Sequence, residues 1–221
     1  HAKLDEFECA LRMGVSAVKT NRLQEALKGF LMARKLKSDH FEVNYNLGYI
    51  CFLQKDYEKA AMFLKQALLA DTESVLAQRY MGFSLHKAHR YREALGYLKK
   101  AVDLQPDDKE ALFAMAECFY ESGASERAQK IFSHLRPDPT LGPQSALYAG
   151  IIHSQTNQAD KAIVDFEIGL KHETIPPEIA NELRYKMAVT LIKIQDISRA
   201  LLTLKDIQRI TPGYKDVPAL I

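Results

Sequence analysis

The sequence predicts an all-α chain folded as a solenoid of antiparallel helix pairs. Two observations carry this. A plan of two amphipathic helical patterns joined by a short polar turn, clearest over residues 41–74, recurs every 34 residues through the 221-residue chain. A fixed period of that size marks stacked repeats, each needing its neighbours to bury its apolar faces. Small residues also return in register. With each unit numbered 1 to 34, position 20 is Ala26, Ala60, Ala94, Ala128 and Ala162, and position 8 is Gly14, Gly48, Gly82, Ala116 and Gly150.

Units in this register start at Phe7, Phe41, Val75, Lys109 and Pro143. A sixth fits from Asn181, four residues late, and gives Ala188 and Ala200 at positions 8 and 20. The predicted array therefore covers 7–214, as repeats 7–40, 41–74, 75–108, 109–142, 143–176 and 181–214. Residues 1–6 are read as a tag, linker or fragment edge, because a chain opening on His rather than Met suggests a tag scar or an internal cut. At the other end, 215–221 reads as a truncated cap or a continuing helix, with continuation favoured.

Each helix has a physical reason. Position 8 lies on the first helix of a pair and position 20 on the second, where small side chains let the axes approach to about 8–10 Å. Glycine costs roughly 1 kcal/mol in a helix interior relative to alanine, so its recurrence argues for close packing. Larger apolar residues surround this contact: Met13, Leu47, Met81 and Met115 at position 7, and Phe30, Leu64, Leu98, Phe132, Phe166 and Leu204 at position 24. Repeats one to three run to Asp108 without a phase break. Arg136-Pro137-Asp138-Pro139 must end the fourth pair, since proline lacks the N–H and clashes one turn back. Pro143 then suits a first helical turn. The extra residues before the sixth repeat fall at Ile175-Pro176-Pro177-Glu178, which predicts a lengthened, proline-rich connection and a changed step there.

Composition excludes several functions. Hydrophobic residues make up 47% of the chain, too many for disorder. The net charge of +2 is spread, and no Lys/Arg run exceeds Lys99-Lys100, so no nucleic-acid-binding face is expected. No apolar run approaches the roughly 18 residues of a membrane span, so direct insertion is not expected either. No signal-peptide order is visible at the start, which leaves a cytoplasmic address as the default and a membrane-associated assembly open. Cys9, Cys51 and Cys118 are odd in number and lack ligand spacing, and read as reduced core residues.

Chemistry-bearing motifs are missing too: no GxxxxGK[ST], GxGxxG or GxSxG is present. His86 and His89 form the one close histidine pair, read as solvated turn residues rather than metal ligands. His153, at an internal packing position, reads as a hydrogen-bonded core histidine. Glu117 and Glu121 share a helix face, but acid–base work needs a pocket that an open solenoid does not supply. No catalytic residue, cofactor or metal is expected.

The pattern of positions 7, 8, 20 and 24 resembles the tetratricopeptide repeat family, over nearly the whole of 7–214. The chain departs from the family consensus at position 4, which holds Ala10, Asn44, Gln78, Leu112, Ala146 and Arg184, and it has no tryptophan. Proline at position 32 occurs only as Pro106 and Pro212. The resemblance implies a right-handed superhelix whose first helices line a concave face with positions 2, 5, 6, 9, 12 and 13. Those positions supply Tyr45, Asn46, Tyr49, Phe52 and Leu53 in the second repeat. The third supplies Arg79, Tyr80, Phe83, His86 and Lys87, and the fourth Glu110, Phe113, Glu117, Tyr120 and Glu121. Aromatics at positions 5 and 12 belong to the consensus, so Tyr45, Phe52, Phe113 and Tyr120 are either packing residues or ligand contacts. Tyr49, Leu53, Tyr80 and Phe83 stand where the family is usually polar, which points to a partner that covers them.

Chaperone-type members of the family hold a C-terminal carboxylate with Lys, Asn and Arg at set positions. Here those positions carry Leu11, Val15, Asn46, Leu76 and Tyr80, and Asn46 alone matches. The expected ligand is therefore a peptide or amphipathic helix of a protein partner, held by apolar and aromatic contacts. Self-association through the stripe or the proline-rich edges is the alternative, as is service as the targeting arm of a larger enzyme. Arrays of this family occur in cytoplasmic adaptors and in bacterial motility and secretion apparatus.

Overall fold

The structure, a computed structural model, describes residues 2–221. Among the described residues there are thirteen helices and no strand. None of these helices is long and apolar enough to cross a membrane. The chain divides between Ser122 and Gly123 into two compact units.

The first unit holds α1 (Ala2–Lys19), α2 (Leu23–Leu36), α3 (Phe41–Leu53), α4 (Tyr57–Ala70), α5 (Val75–Lys87), α6 (Tyr91–Leu104) and α7 (Lys109–Glu121). Pairs form as α1–α2, α3–α4 and α5–α6, and each second helix also packs on the first helix after it. First helices meet as well, α3 with α5 and α5 with α7. From Ala2, the residues read as a tag, linker or fragment edge belong to α1 itself.

The small position 8 makes room mainly for the large position 24, where the sequence reading stressed alanine at position 20. A Cβ added to Gly48 would fall 2.5 Å from Leu64 Cγ and 3.2 Å from the Ala60 carbonyl oxygen. On Gly14 it would fall 2.8 Å from the Phe30 ring. Phe30, Leu64 and Leu98 are fully buried in return.

Every helix pair closes on the same turn. Position 15 adopts the left-handed conformation throughout: Asn21 (φ 55°), Lys55 (63°), His89 (60°), Gly123 (81°), Asn157 (58°) and Gln195 (62°). Around Lys55, its N–H donates to the Phe52 carbonyl at 2.9 Å and the Asp56 N–H to the Cys51 carbonyl at 2.9 Å. Such a cap satisfies carbonyls that the helix end would otherwise leave open. Asp56 then caps α4 through its carboxylate, which accepts from the Lys59 N–H.

Asn44 and Gln78, the polar residues at position 4 of the second and third repeats, are buried and employed. Asn44 Nδ2 donates to the Ser38 and His40 carbonyls at 2.8 and 3.1 Å, and Gln78 Nε2 to the Thr72 carbonyl at 2.7 Å. They tie down the loop between repeats, a role a large apolar residue could not fill. Of the cysteines, Cys51 and Cys118 are buried, whereas Cys9 is exposed, contrary to its expected core position.

The second unit holds α8 (Ser125–Leu135), α9 (Gly142–Gln155), α10 (Ala159–Leu170), α11 (Pro177–Lys193), α12 (Ile197–Ile210) and α13 (Val217–Leu220). α9 packs on α8 and α10, α11 on α10 and α12, and the short α13 on α12. Pro143 lies in the first turn of α9. The extra residues before the sixth repeat do not all lengthen a loop, as the sequence reading expected. Residues 177–180 add a turn to the front of α11, because Pro177 sits at a helix start, where its missing N–H costs nothing.

Candidate functional site

Three aromatic residues of α3, Tyr45, Tyr49 and Phe52, recur at the spacing of one helix face. Tyr80 and Phe83 of α5 meet them across the α3–α5 contact. Tyr45 and Tyr49 stack at 6.4 Å between ring centroids, and Tyr80 meets Tyr49 edge-on at 4.9 Å and Phe52 at 5.5 Å. Phe83 contacts both Tyr80 (6.1 Å) and Phe52 (6.4 Å). All five are half-buried. Aromatic pairs in these arrangements each contribute about 0.5–1.5 kcal/mol beyond their buried area.

Arg79 is woven into the same cluster. Its guanidinium carbon lies 5.0 Å from the Phe83 centroid and 5.7 Å from that of Tyr80. Its Nε is 2.7 Å from Asp108 Oδ2, and a terminal nitrogen pairs with Glu110. The arginine is thus held in place by two carboxylates rather than left as a mobile cation. Two of the phenols are held neutral: burial, then the neighbouring Tyr80 and Tyr49, pushes Tyr45 up to about 12. Burial and then Tyr49 raise Tyr80 as well. At neutral pH the face is apolar with hydroxyl donors.

The remaining predicted residues fall into different settings. Leu53 is 42% exposed at the end of α3. Asn46 turns back to donate to the Glu42 carbonyl on its own helix at 2.7 Å. Phe113 is buried in the core, so of its two readings packing is the one its setting fits. Tyr120 lies half-buried on α7. Two members of the cluster went unrecognised in the sequence: Phe41, stacked on Tyr45 at 5.9 Å, and Tyr57, 5.7 Å from Phe52. The i, i+4 spacing of Phe41 and Tyr45 was the available signal. The anchoring of Arg79 was missed too, although Asp108 and Glu110 follow it by nearly one repeat.

Neither histidine setting assembles a reaction centre. His86 is buried, not a solvated turn residue, and its Nε2 lies 3.4 Å from Glu117. Burial, then Lys87 and His89, pushes the ring down to about 4. His89 is exposed in the turn. His153 is hydrogen-bonded as expected, but half-buried: Nδ1 donates to Asp165 at 2.7 Å, and Nε2 lies 3.2 Å from Gln129 Nε2. Arg136 takes the other oxygen of the buried Asp165. Both ring nitrogens are therefore occupied within the protein. Among the described residues no three His, Cys, Asp or Glu side chains converge as a metal site.

Comparison with known proteins bears on the fold and the family. Tetratricopeptide repeat models match residues 11–74 and 85–151. The human protein O-mannosyl-transferase TMTC1 is 26% identical over 145 residues, 65% of this chain and 16% of that protein. The chain thus spans about a sixth of that relative's length. Two solved structures share the fold. YrrB, described as a TPR protein with an unusual peptide-binding site, aligns with a TM-score of 0.69 at 22% identity, over 74% of this chain and 84% of its own. Pseudomonas aeruginosa pilF aligns with a TM-score of 0.69 at 14% identity, over 99% of this chain and 98% of its own. With the α-solenoid of helix pairs, the register of small residues and both repeat models in agreement, the chain belongs to the tetratricopeptide repeat family.

Proposed function

We propose that the chain is a non-enzymatic scaffold that holds a peptide or helical segment of a partner protein against the face formed by Tyr45, Tyr49, Phe52, Tyr80 and Phe83, with Leu53, Asn46 and Arg79 at its edges and Tyr120 further along on α7. The carrying observation is the contiguous set of half-buried rings across α3 and α5, of which Tyr49, Tyr80 and Phe83 stand at positions that are usually polar in the family. Family members are protein-interaction scaffolds, and a peptide-binding site is named for YrrB, which supports the reading. Arg79 is already neutralised by Asp108 and Glu110, so the face suits apolar and aromatic side chains better than a free carboxylate. Such a scaffold works inside a multiprotein assembly, of which a bacterial motility or secretion apparatus is one setting.

The test is a phage-displayed peptide library selected on the wild-type chain, with winners measured against Tyr49→Ala/Phe83→Ala. The double variant is expected to weaken binding at least about tenfold, in line with loss of a central aromatic anchor, while keeping its helicity. Undiminished binding overturns the assignment.

A second reading, the targeting arm of a larger enzyme, is favoured by one observation: the stretch shared with the human transferase is 16% of that protein. Reading the gene on both sides of residues 1–221 decides it.

A further inference from the structure

Position 9 of the first helices is apolar along most of this chain, as Val15, Tyr49, Phe83, Ile151 and Val189. The fourth repeat departs from that, with Glu117 on α7 in the place that Phe83 holds on α5. Its side chain is only 15% exposed. A carboxylate so far withdrawn from water costs free energy that a solvated one does not, which makes it a poor device for solubility alone. Where a chain breaks its own pattern at the expense of stability, the break is expected at a functional site.

The groups around Glu117 leave that end of the face negative. α5 packs on α7 and presents His86, whose Nε2 lies 3.4 Å from the carboxylate. Burial, then Lys87 and His89, keeps the ring neutral at neutral pH, so it brings no positive charge to the contact. Lys87 of α5 and Glu121 of α7 are both exposed at position 13, and Arg79 is held by Asp108 and Glu110. At the groove positions of α5 and α7, with the cap residue Asp108, the carboxylates of Asp108, Glu110, Glu117 and Glu121 thus stand against Arg79 and Lys87. The excess is felt inside α7: burial, then Glu117 and Glu121, pushes the Cys118 thiol up to about 12, against the opposing pull of Lys87.

We propose that Glu117 sets the specificity of the aromatic face: the bound segment carries a lysine or arginine that pairs with it, beside the apolar residue that rests on Tyr80 and Phe83. This rests on the reading of that face as the binding surface. A cation that reaches a partly desolvated carboxylate meets a weakly screened charge, so the pair discriminates between ligands better than one at an exposed rim. The spacing follows from the helices. Phe83 and Glu117 occupy the same position on neighbouring first helices, whose axes are expected about 8–10 Å apart. The basic residue is then about three residues from the apolar anchor in a polyproline-type segment, at about 3.1 Å per residue, or about seven in a helix.

The experiment is selection of a random peptide library displayed on phage against the whole chain, followed by affinity measurements on the best synthetic peptide. Winners are expected to carry a lysine or arginine at that distance from an aliphatic or aromatic residue. Glu117→Gln should weaken such a peptide about tenfold, and Tyr49→Ala/Phe83→Ala should weaken it at least as much. Glu117→Lys should prefer the same peptide with its basic residue changed to glutamate, a reversal that a merely structural role would not produce. Changing the basic residue of the peptide to glutamine should cost the wild-type chain about tenfold as well, a reading that stands even if circular dichroism shows the Glu117 variants to have lost helix. Peptides that need Tyr49 and Phe83 but bind equally well with and without their basic residue overturn the role of Glu117 and leave the aromatic face standing. Peptides that ignore Tyr49→Ala/Phe83→Ala, or a selection that yields none, overturn both.

Discussion

The rings of Tyr49 and Tyr80 meet edge to face, 4.9 Å apart, so one contact both joins α3 to α5 and shapes the aromatic face they share. Tyr45, stacked on Tyr49, shares this environment, and its phenol is pushed up to about 12 by burial and its two tyrosine neighbours. The consequence for stability has a definite sign. In the unfolded chain the phenol ionises near its ordinary value of about 10. Between that pH and the folded value, the folded protein binds the extra proton, so stability falls as pH rises. The contribution is complete below pH 10 and lost by about pH 12. Tyr45→Phe should therefore remove one late-titrating phenol from an ultraviolet titration and flatten the loss of stability over that window. Loss of a phenol that titrates near the ordinary value of about 10 instead would place the Tyr45 hydroxyl in water.

The left-handed turn residues make a second test. Lys55 holds φ at 63°, a conformation that crowds its Cβ, and its side chain is exposed. Lys55→Gly relieves that crowding, offset in part by greater freedom of the unfolded chain, for a net gain of about 0.5–1 kcal/mol. Gly123 occupies the same position with φ 81°, and Gly123→Ala should lose about 1 kcal/mol by the same reasoning. Thermal melts of the two variants should move in opposite directions.

A comparison of two helical glycines separates steric need from chance. Gly48 has Leu64 and the Ala60 carbonyl where a Cβ would go, and Gly96 has nothing within 4 Å. Gly48→Ala should be destabilising, because overpacking costs about 1–3 kcal/mol against a helix-propensity gain of up to about 1 kcal/mol. Gly96→Ala, on the exposed side of α6, should gain up to about 1 kcal/mol. Chemical denaturation reads both, and equal effects would mean that Gly48 has no packing role.

What the sequence revealed follows from what repetition can show. Glycine at position 8 and the large residue at position 24 recur in register, and that recurrence exposed the helix-pair class without any structure. Tyr49, Tyr80 and Phe83 were visible as exceptions to a consensus, which is how a surface feature stands out against a shared framework. The contacts that escaped notice involve single residues reaching across repeats. Arg79 meets Glu110, and Arg136 meets Asp165, through pairings that no periodic pattern encodes. The Pro176-Pro177 step also misled, because proline both ends connections and begins helices. The difference is whether the residues that follow can form a helical turn, and Pro177-Glu178-Ile179-Ala180 can.

Asp165 provides the last prediction. It is buried at position 23, where other repeats carry Phe63, Tyr97 and Ile131, and it pairs with His153 at position 11 and Arg136 at position 28. Asp165→Ala leaves the Arg136 charge without its carboxylate and His153 without its acceptor. The expected loss is about 1–3 kcal/mol, below that for a fully buried partner because the Arg136 side chain is 28% exposed. If burial of polar groups is the source of that loss, removing all three should repair it. The variant Arg136→Leu/His153→Leu/Asp165→Ile installs residues that other repeats use at the same positions, namely Leu68 and Leu170, Leu85 and Leu191, and Ile131. Well-packed apolar replacements of a buried ionic cluster are often neutral or stabilising, so the triple variant should melt at or above the wild type. A triple variant as unstable as Asp165→Ala would instead show that the network fixes the packing of α9 on α10 by its directed hydrogen bonds.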